Sequence, residues 1–123
     1  MTHYLNLRPR PFSMIADGTK TIELRLLDEK RKRISVGDTL IFANTDDTAC
    51  TIECKVKALY TFKNFTQLYR SLPLDKCGYL PRELPTASPE DMDEYYSLEK
   101  QKQYGVVGIE LELTKHNADA ESL

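Results

Sequence analysis

The sequence predicts an α+β fold, a small mixed β-barrel carrying two or three short helices. Three observations carry that prediction. About five or six short segments alternate apolar and polar side chains with the period of a half-buried strand. Most are separated by tight-turn residues, not by the long crossovers that a layered parallel sheet needs. The 123 residues are enough to bury one core but too few for two.

Residues 4–7 alternate weakly and serve as a first strand. Residues 11–17 then read as a short helix: Pro11 suits a first helical position, Phe12, Ile15 and Ala16 share a face, and Gly18 supplies the left-handed stop. Residues 21–27 form the next strand, with Ile22, Leu24 and Leu26 on a core face and Thr21, Glu23 and Arg25 on a wet one. Residues 28–33 are a charged turn, and Gly37-Asp38 turns the chain into a strand at 39–43. A polar connection at 44–47 leads to the clearest strand, 51–60. There Ile52, Cys54, Val56, Ala58 and Tyr60 are assigned to the core, and Thr51, Glu53, Lys55 and Lys57 to solvent.

Asn64, with Gln67 three residues on, forms a capping box. It starts a helix in which Phe65, Leu68, Tyr69 and Leu72 share a face up to Pro73. Residues 74–87 have no period and are punctuated by Gly78, Pro81 and Pro85; a loop of that length in a small domain reads as a lid over a site. Ser88-Pro89-Glu90-Asp91 starts a further helix through Met92, Tyr95 and Tyr96, and residues 106–113 alternate as a last strand. The polar segment 115–123 is expected to be a disordered tail, leaving residues 1–114 as one domain.

Composition narrows the chemistry. The net charge of −2 rules out a protein that coats polyanions with its whole surface, so contact with nucleic acid must be local. The three cysteines, Cys50, Cys54 and Cys77, have no paired spacing and read as reduced thiols. No apolar run is long enough to span a bilayer, and the N-terminus does not read as a signal peptide, so the expected location is the cytoplasm. Only two histidines, His3 and His116, are present, both near the ends, which argues against Ser-His-Asp or Cys-His catalysis. Phosphate-loop and metal-ligand spacings are missing, so neither a metal nor a cofactor is expected.

What remains is Lys, Glu, Arg and Tyr chemistry. Lys20 stands at the mouth of the strand that carries Glu23 and Arg25; arginine offers a planar fork for phosphate or a base edge, lysine a point charge. Spacing alone reads Glu23 and Arg25 as a surface ion pair. The run Lys30-Arg31-Lys32-Arg33 either tracks a phosphate backbone with Lys55 and Lys57 or, beside Asp28 and Glu29, is a solvated turn. Tyr79, Tyr95, Tyr96 and Tyr104 are stacking candidates for a base, although helical spacing equally places tyrosines in a core.

The chain resembles the ASCH family, relatives of the PUA domain, from about Leu5 to Leu113. The resemblance lies in Pro11-Phe12, Ile15, Gly18-x-Lys20-Thr21-Ile22-Glu23-x-Arg25, and Ile34-x-x-Gly37-Asp38-x-x-x-Phe42. The stretch Asp91-Met92, Tyr95-Tyr96-Ser97 and Tyr104-Gly105-Val106-Val107-Gly108-Ile109 resembles short bacterial members. It implies a PUA-like barrel with a cleft that binds RNA or a nucleotide, lined by Lys20, Glu23 and Arg25 together with Tyr79 and Tyr96. Some small relatives are amidohydrolases that deacetylate acetylcytidine with a Lys, a Thr and a Glu. Lys20 matches that Lys, Glu23 stands where the Thr would be, and Glu90 is the counterpart of the Glu. Three functions follow: a binding module for RNA or a nucleotide, an amidohydrolase acting on an N-acylated cytidine, or an adaptor for another protein that lacks a deep cleft at Lys20. Oligomeric state is left open.

Overall fold

A computed structural model describes residues 1–116 of the chain. Five strands make one sheet in the order β1 (Thr2–Leu7), β3 (Thr39–Asn44), β4 (Asp47–Phe62), β5 (Val106–His116), β2 (Ile22–Leu26). β1 pairs with β3 in parallel and all other pairs are antiparallel, so the class is α+β, as the sequence predicts. The sheet curls into a half-barrel whose two edges, β1 and β2, are bridged by side chains. Arg25 Nη2 donates to the Asn6 carbonyl at 2.7 Å and Lys30 Nζ to the Tyr4 carbonyl at 3.0 Å.

Helix α1 (Pro9–Ala16) follows β1, starting two residues earlier than predicted, and Gly18 closes it at φ +86°. The Lys20 amide then donates to the Met14 carbonyl at 3.0 Å, which fixes the entry into β2. Helix α2 (Phe65–Ser71) is capped as the sequence predicts, the Asn64 side chain accepting from the Gln67 amide at 2.9 Å.

Two cores flank the sheet. Leu40, Phe42, Ile52, Cys54, Val56 and Ile109 belong to the concave core, closed on one side by Phe12 and Ile15 of α1. Ile22, Leu24, Leu26 and Val106 belong to the second, beneath Phe65 and Leu68 of α2, Cys77 and Met92. Burial of Ile22 and Leu24 thus matches expectation, but their core is the outer one, not the barrel interior.

Three expectations need correction. The strict alternation read over 51–60 breaks at a bulge: Val56 pairs with Leu111 and Ala58 with Glu110, leaving Lys57 without a facing residue. Beyond it the faces exchange, so Leu59 packs on the barrel core while Tyr60 is exposed and donates to Glu110 at 2.8 Å. Second, the helix expected after Ser88 is a 3-10 turn, Pro89–Glu94, and an unforeseen α-helix, α3 (Leu98–Tyr104), follows it. Only Gln101 of α3 is buried, so there was no apolar stripe to read. Third, β5 continues to His116, where Lys115 and His116 pair with Glu53 and Ile52; the rest of the expected tail lies outside the described residues.

Among the described residues no helix is long and apolar enough to cross a membrane. No group of three His, Cys, Asp or Glu in them is arranged to hold a metal ion.

Candidate functional site

β2 is an edge strand with both faces covered, and this decides the chemistry of its odd-numbered residues. Glu23 lies directly opposite Ile109 and Arg25 opposite Val107, and facing residues of an antiparallel pair share a side of the sheet. Glu23 and Arg25 therefore point to the same side as the barrel core, and the wet face expected for them is corrected. Glu23 is only 4% exposed.

A buried carboxylate is stable only with partners. Lys20 Nζ lies 2.7 Å from Glu23 Oε1, and Arg25 Nε lies 2.7 Å from Oε2. Burial would raise the Glu23 pKa, but the two cations and their hydrogen bonds override it and hold the carboxyl at about 2. With both oxygens engaged and protonation disfavoured, Glu23 orients its neighbours and is poorly suited to act as a base. For Arg25, burial opposes the charge, but Glu23 outweighs it and the guanidinium pKa is raised.

The triad carries one net positive charge, and its donors are not used up. Among the described residues Lys20 Nζ contacts one acceptor, while Arg25 places Nε on Glu23 and Nη2 on Asn6, leaving Nη1. The loop lies against the lysine at Gly78, where φ +108° favours glycine and a Cβ would stand in ordinary contact, 3.4 Å from Lys20 Cδ.

The triad floors a cleft of about 480 Å³ between the β1–α1 junction and the long excursion after α2. Tyr69, Tyr79, Asp91, Tyr95 and Tyr96 form its far wall. Tyr79 donates to Asp91 Oδ2 at 2.7 Å and shares a hydrogen bond of 2.7 Å with Tyr69. Burial pushes the Tyr69 hydroxyl up to about 12 and raises that of Tyr79, so both remain protonated donors near neutral pH. Burial likewise raises Tyr96, whose ring stacks on Phe65 with centroids 6.2 Å apart at 16°. Arg8 lies over the Tyr95 ring at 4.6 Å. In total four basic side chains (Arg8, Arg10, Lys20, Arg25) and four acidic ones (Glu23, Glu83, Asp91, Glu94) line the space.

The structure thus brings Lys20, Glu23, Arg25, Tyr79 and Tyr96 into one cleft, and separates Glu90 from it. Glu90 is exposed in a second groove beside Lys63 and Lys102, its carboxylate accepting from the Ser88 hydroxyl. The tight 3-10 turn that directs Glu90 outward puts Asp91 on the cleft wall. The basic run stays outside as well: Lys30 bonds a β1 carbonyl, Arg31 pairs with Asp28 at 3.1 Å and Lys32 with Glu29 at 3.6 Å. Sequence reasoning missed Asn6, Arg8, Arg10, Tyr69 and Asp91. The spacing Arg8-Pro9-Arg10-Pro11, two cations on a stiffened segment just before the first helix, was the available signal for two of them.

A family model described as the ASCH domain matches residues 5–115 of the chain. Among solved structures, the chain is similar to the hypothetical protein PH0355, at 29% identity and a TM-score of 0.76, covering 93% of this chain and 100% of that one. It is also similar to protein PF0455 from Pyrococcus furiosus, at 30% identity and a TM-score of 0.68, covering 94% and 99%. A serine-to-alanine variant of ZmASCH from Zymomonas mobilis shares the fold at 14% identity and a TM-score of 0.61, with 92% of this chain and 68% of that one covered. No curated protein matches the sequence.

Proposed function

We propose, since this chain belongs to the ASCH domain family, that it binds RNA or a nucleotide in the cleft floored by Lys20, Glu23 and Arg25. The observation that carries the reading is the buried triad itself. A buried triad of two cations and a carboxylate contributes little stability over an apolar replacement, which favours a role in binding. It supplies preorganised donors, one net positive charge and no acid to be titrated, which suits a base carbonyl or a phosphate oxygen. The tyrosine wall supplies an aromatic edge, the Tyr69 and Tyr79 hydroxyls being engaged with each other and with Asp91, and the volume falls in the range of small-ligand sites.

The amidohydrolase alternative finds less support. Glu23 is saturated by its two cations, Glu90 opens on another groove, and no hydroxyl nucleophile stands at position 23. The adaptor reading expects no deep cleft at Lys20, and the cleft of about 480 Å³ that Lys20 lines favours the nucleotide reading over it.

Titration of single-stranded RNA and mononucleotides at low salt tests the proposal. Lys20→Ala and Arg25→Ala should each weaken binding by about 1–3 kcal/mol, with circular dichroism showing an intact fold. Release of acetate from acetylcytidine by wild type, abolished by Glu23→Gln with the fold intact by circular dichroism, would instead establish the enzyme.

A further inference from the structure

We infer that Arg8 and Arg10 form a phosphate subsite at the mouth of the cleft, filled in this structure by the chain's own carboxylates, Glu94 and Glu83. The inference rests on the nucleotide reading of the floor and adds where the phosphate goes and what it must displace.

Both arginines already bind an oxyanion. Arg10 Nη2 lies 2.6 Å from Glu83 Oε1 and Arg8 Nη1 lies 3.2 Å from Glu94 Oε1, so the β1–α1 junction is tied to the segments that carry Glu83 and Glu94. Carboxylate and phosphate offer the guanidinium fork the same kind of oxygen acceptors, so a position that holds one accepts the other. Among the described residues each contact uses one guanidinium nitrogen, leaving donors for a second oxygen. Pro9 and Pro11 fix φ on either side of Arg10, so the segment carrying the two forks is stiff before any ligand arrives.

The carboxylates are replaceable. Glu94 is 64% exposed at its side chain and its arginine 56%, so their pairing contributes little to stability. Glu83 Oε1 also accepts from the Leu80 amide at 2.8 Å and keeps that partner when Arg10 turns away. A phosphate monoester near pH 7 carries close to two negative charges and three oxygens against one charge for each carboxylate. It therefore competes with each carboxylate for the arginine that it holds. Nucleosides gain nothing from this exchange.

The test titrates the folded chain with the four nucleosides, their 5′-monophosphates and inorganic phosphate, the last followed by phosphorus NMR. Wild type should prefer each monophosphate over its nucleoside about tenfold. Arg8→Ala/Arg10→Ala should abolish that preference, Arg8→Lys/Arg10→Lys should restore part of it, and Glu83→Gln/Glu94→Gln should enlarge it several-fold by removing the internal competitors. Equal affinity for nucleoside and monophosphate, or a preference indifferent to both double variants, overturns the subsite. If neither nucleosides nor monophosphates bind, the nucleotide reading of the floor fails, and inorganic phosphate decides the subsite separately. Phosphate binding lost in Arg8→Ala/Arg10→Ala sustains it, and absence of phosphate binding overturns it.

Discussion

Glu23 holds the site together because its two oxygens fix the position of both cations that face the cleft. Glu23→Gln leaves Lys20 and Arg25 buried without their counterion, and should cost about 3–5 kcal/mol by denaturant titration at neutral pH. A loss below about 1 kcal/mol would mean that water screens the triad. The pH dependence follows from the sign of the shift: the folded pKa of about 2 lies below the ordinary 4.5, so the folded chain resists protonation. Its contribution is complete above pH 4.5 and is lost as the pH falls through 2, so Glu23→Gln should flatten the stability profile across that window. The resemblance to the ASCH signature singled out Lys20, Glu23 and Arg25 in the sequence, where spacing alone gave a surface ion pair. Their burial was not legible there, because it depends on Glu23 facing Ile109 from an edge strand.

At the scale of elements, the strands and α2 were readable because their apolar periods are simple. β4 shows where that reading ends. One bulged residue, Lys57, exchanges the faces, and no local feature of the sequence announces it. Leu59→Ala should therefore cost about 2 kcal/mol by loss of core packing, whereas Tyr60→Phe should cost less than about 1 kcal/mol, since only an exposed hydrogen bond to Glu110 is lost. The reverse order would restore the uninterrupted alternation. On β2, Ile22→Ala and Leu24→Ala should each cost about 2–4 kcal/mol, as both fill the core beneath α2. Neutral results there would mean that the strand faces are exchanged. α3 and the 3-10 turns escaped the sequence because they bury too few side chains to leave a period.

For the molecule as a whole, an acidic chain with a net charge of −2 concentrates positive charge at one desolvated floor and balances it at the cleft rim. Binding there should depend weakly on salt, with log K falling by about one or two per tenfold rise in salt, because few counterions are released. A much steeper slope would point to a backbone track along Lys30 to Arg33. Mapping backbone amide shifts on titration with a 5′-mononucleotide separates the two surfaces most directly. The expected result is a set of perturbed amides at 6–10, 20–25, 77–79 and 91–96, converging on the cleft. Shifts confined to 30–33 and 55–57, with the cleft silent, would contradict the assignment of the site to Lys20, Glu23 and Arg25.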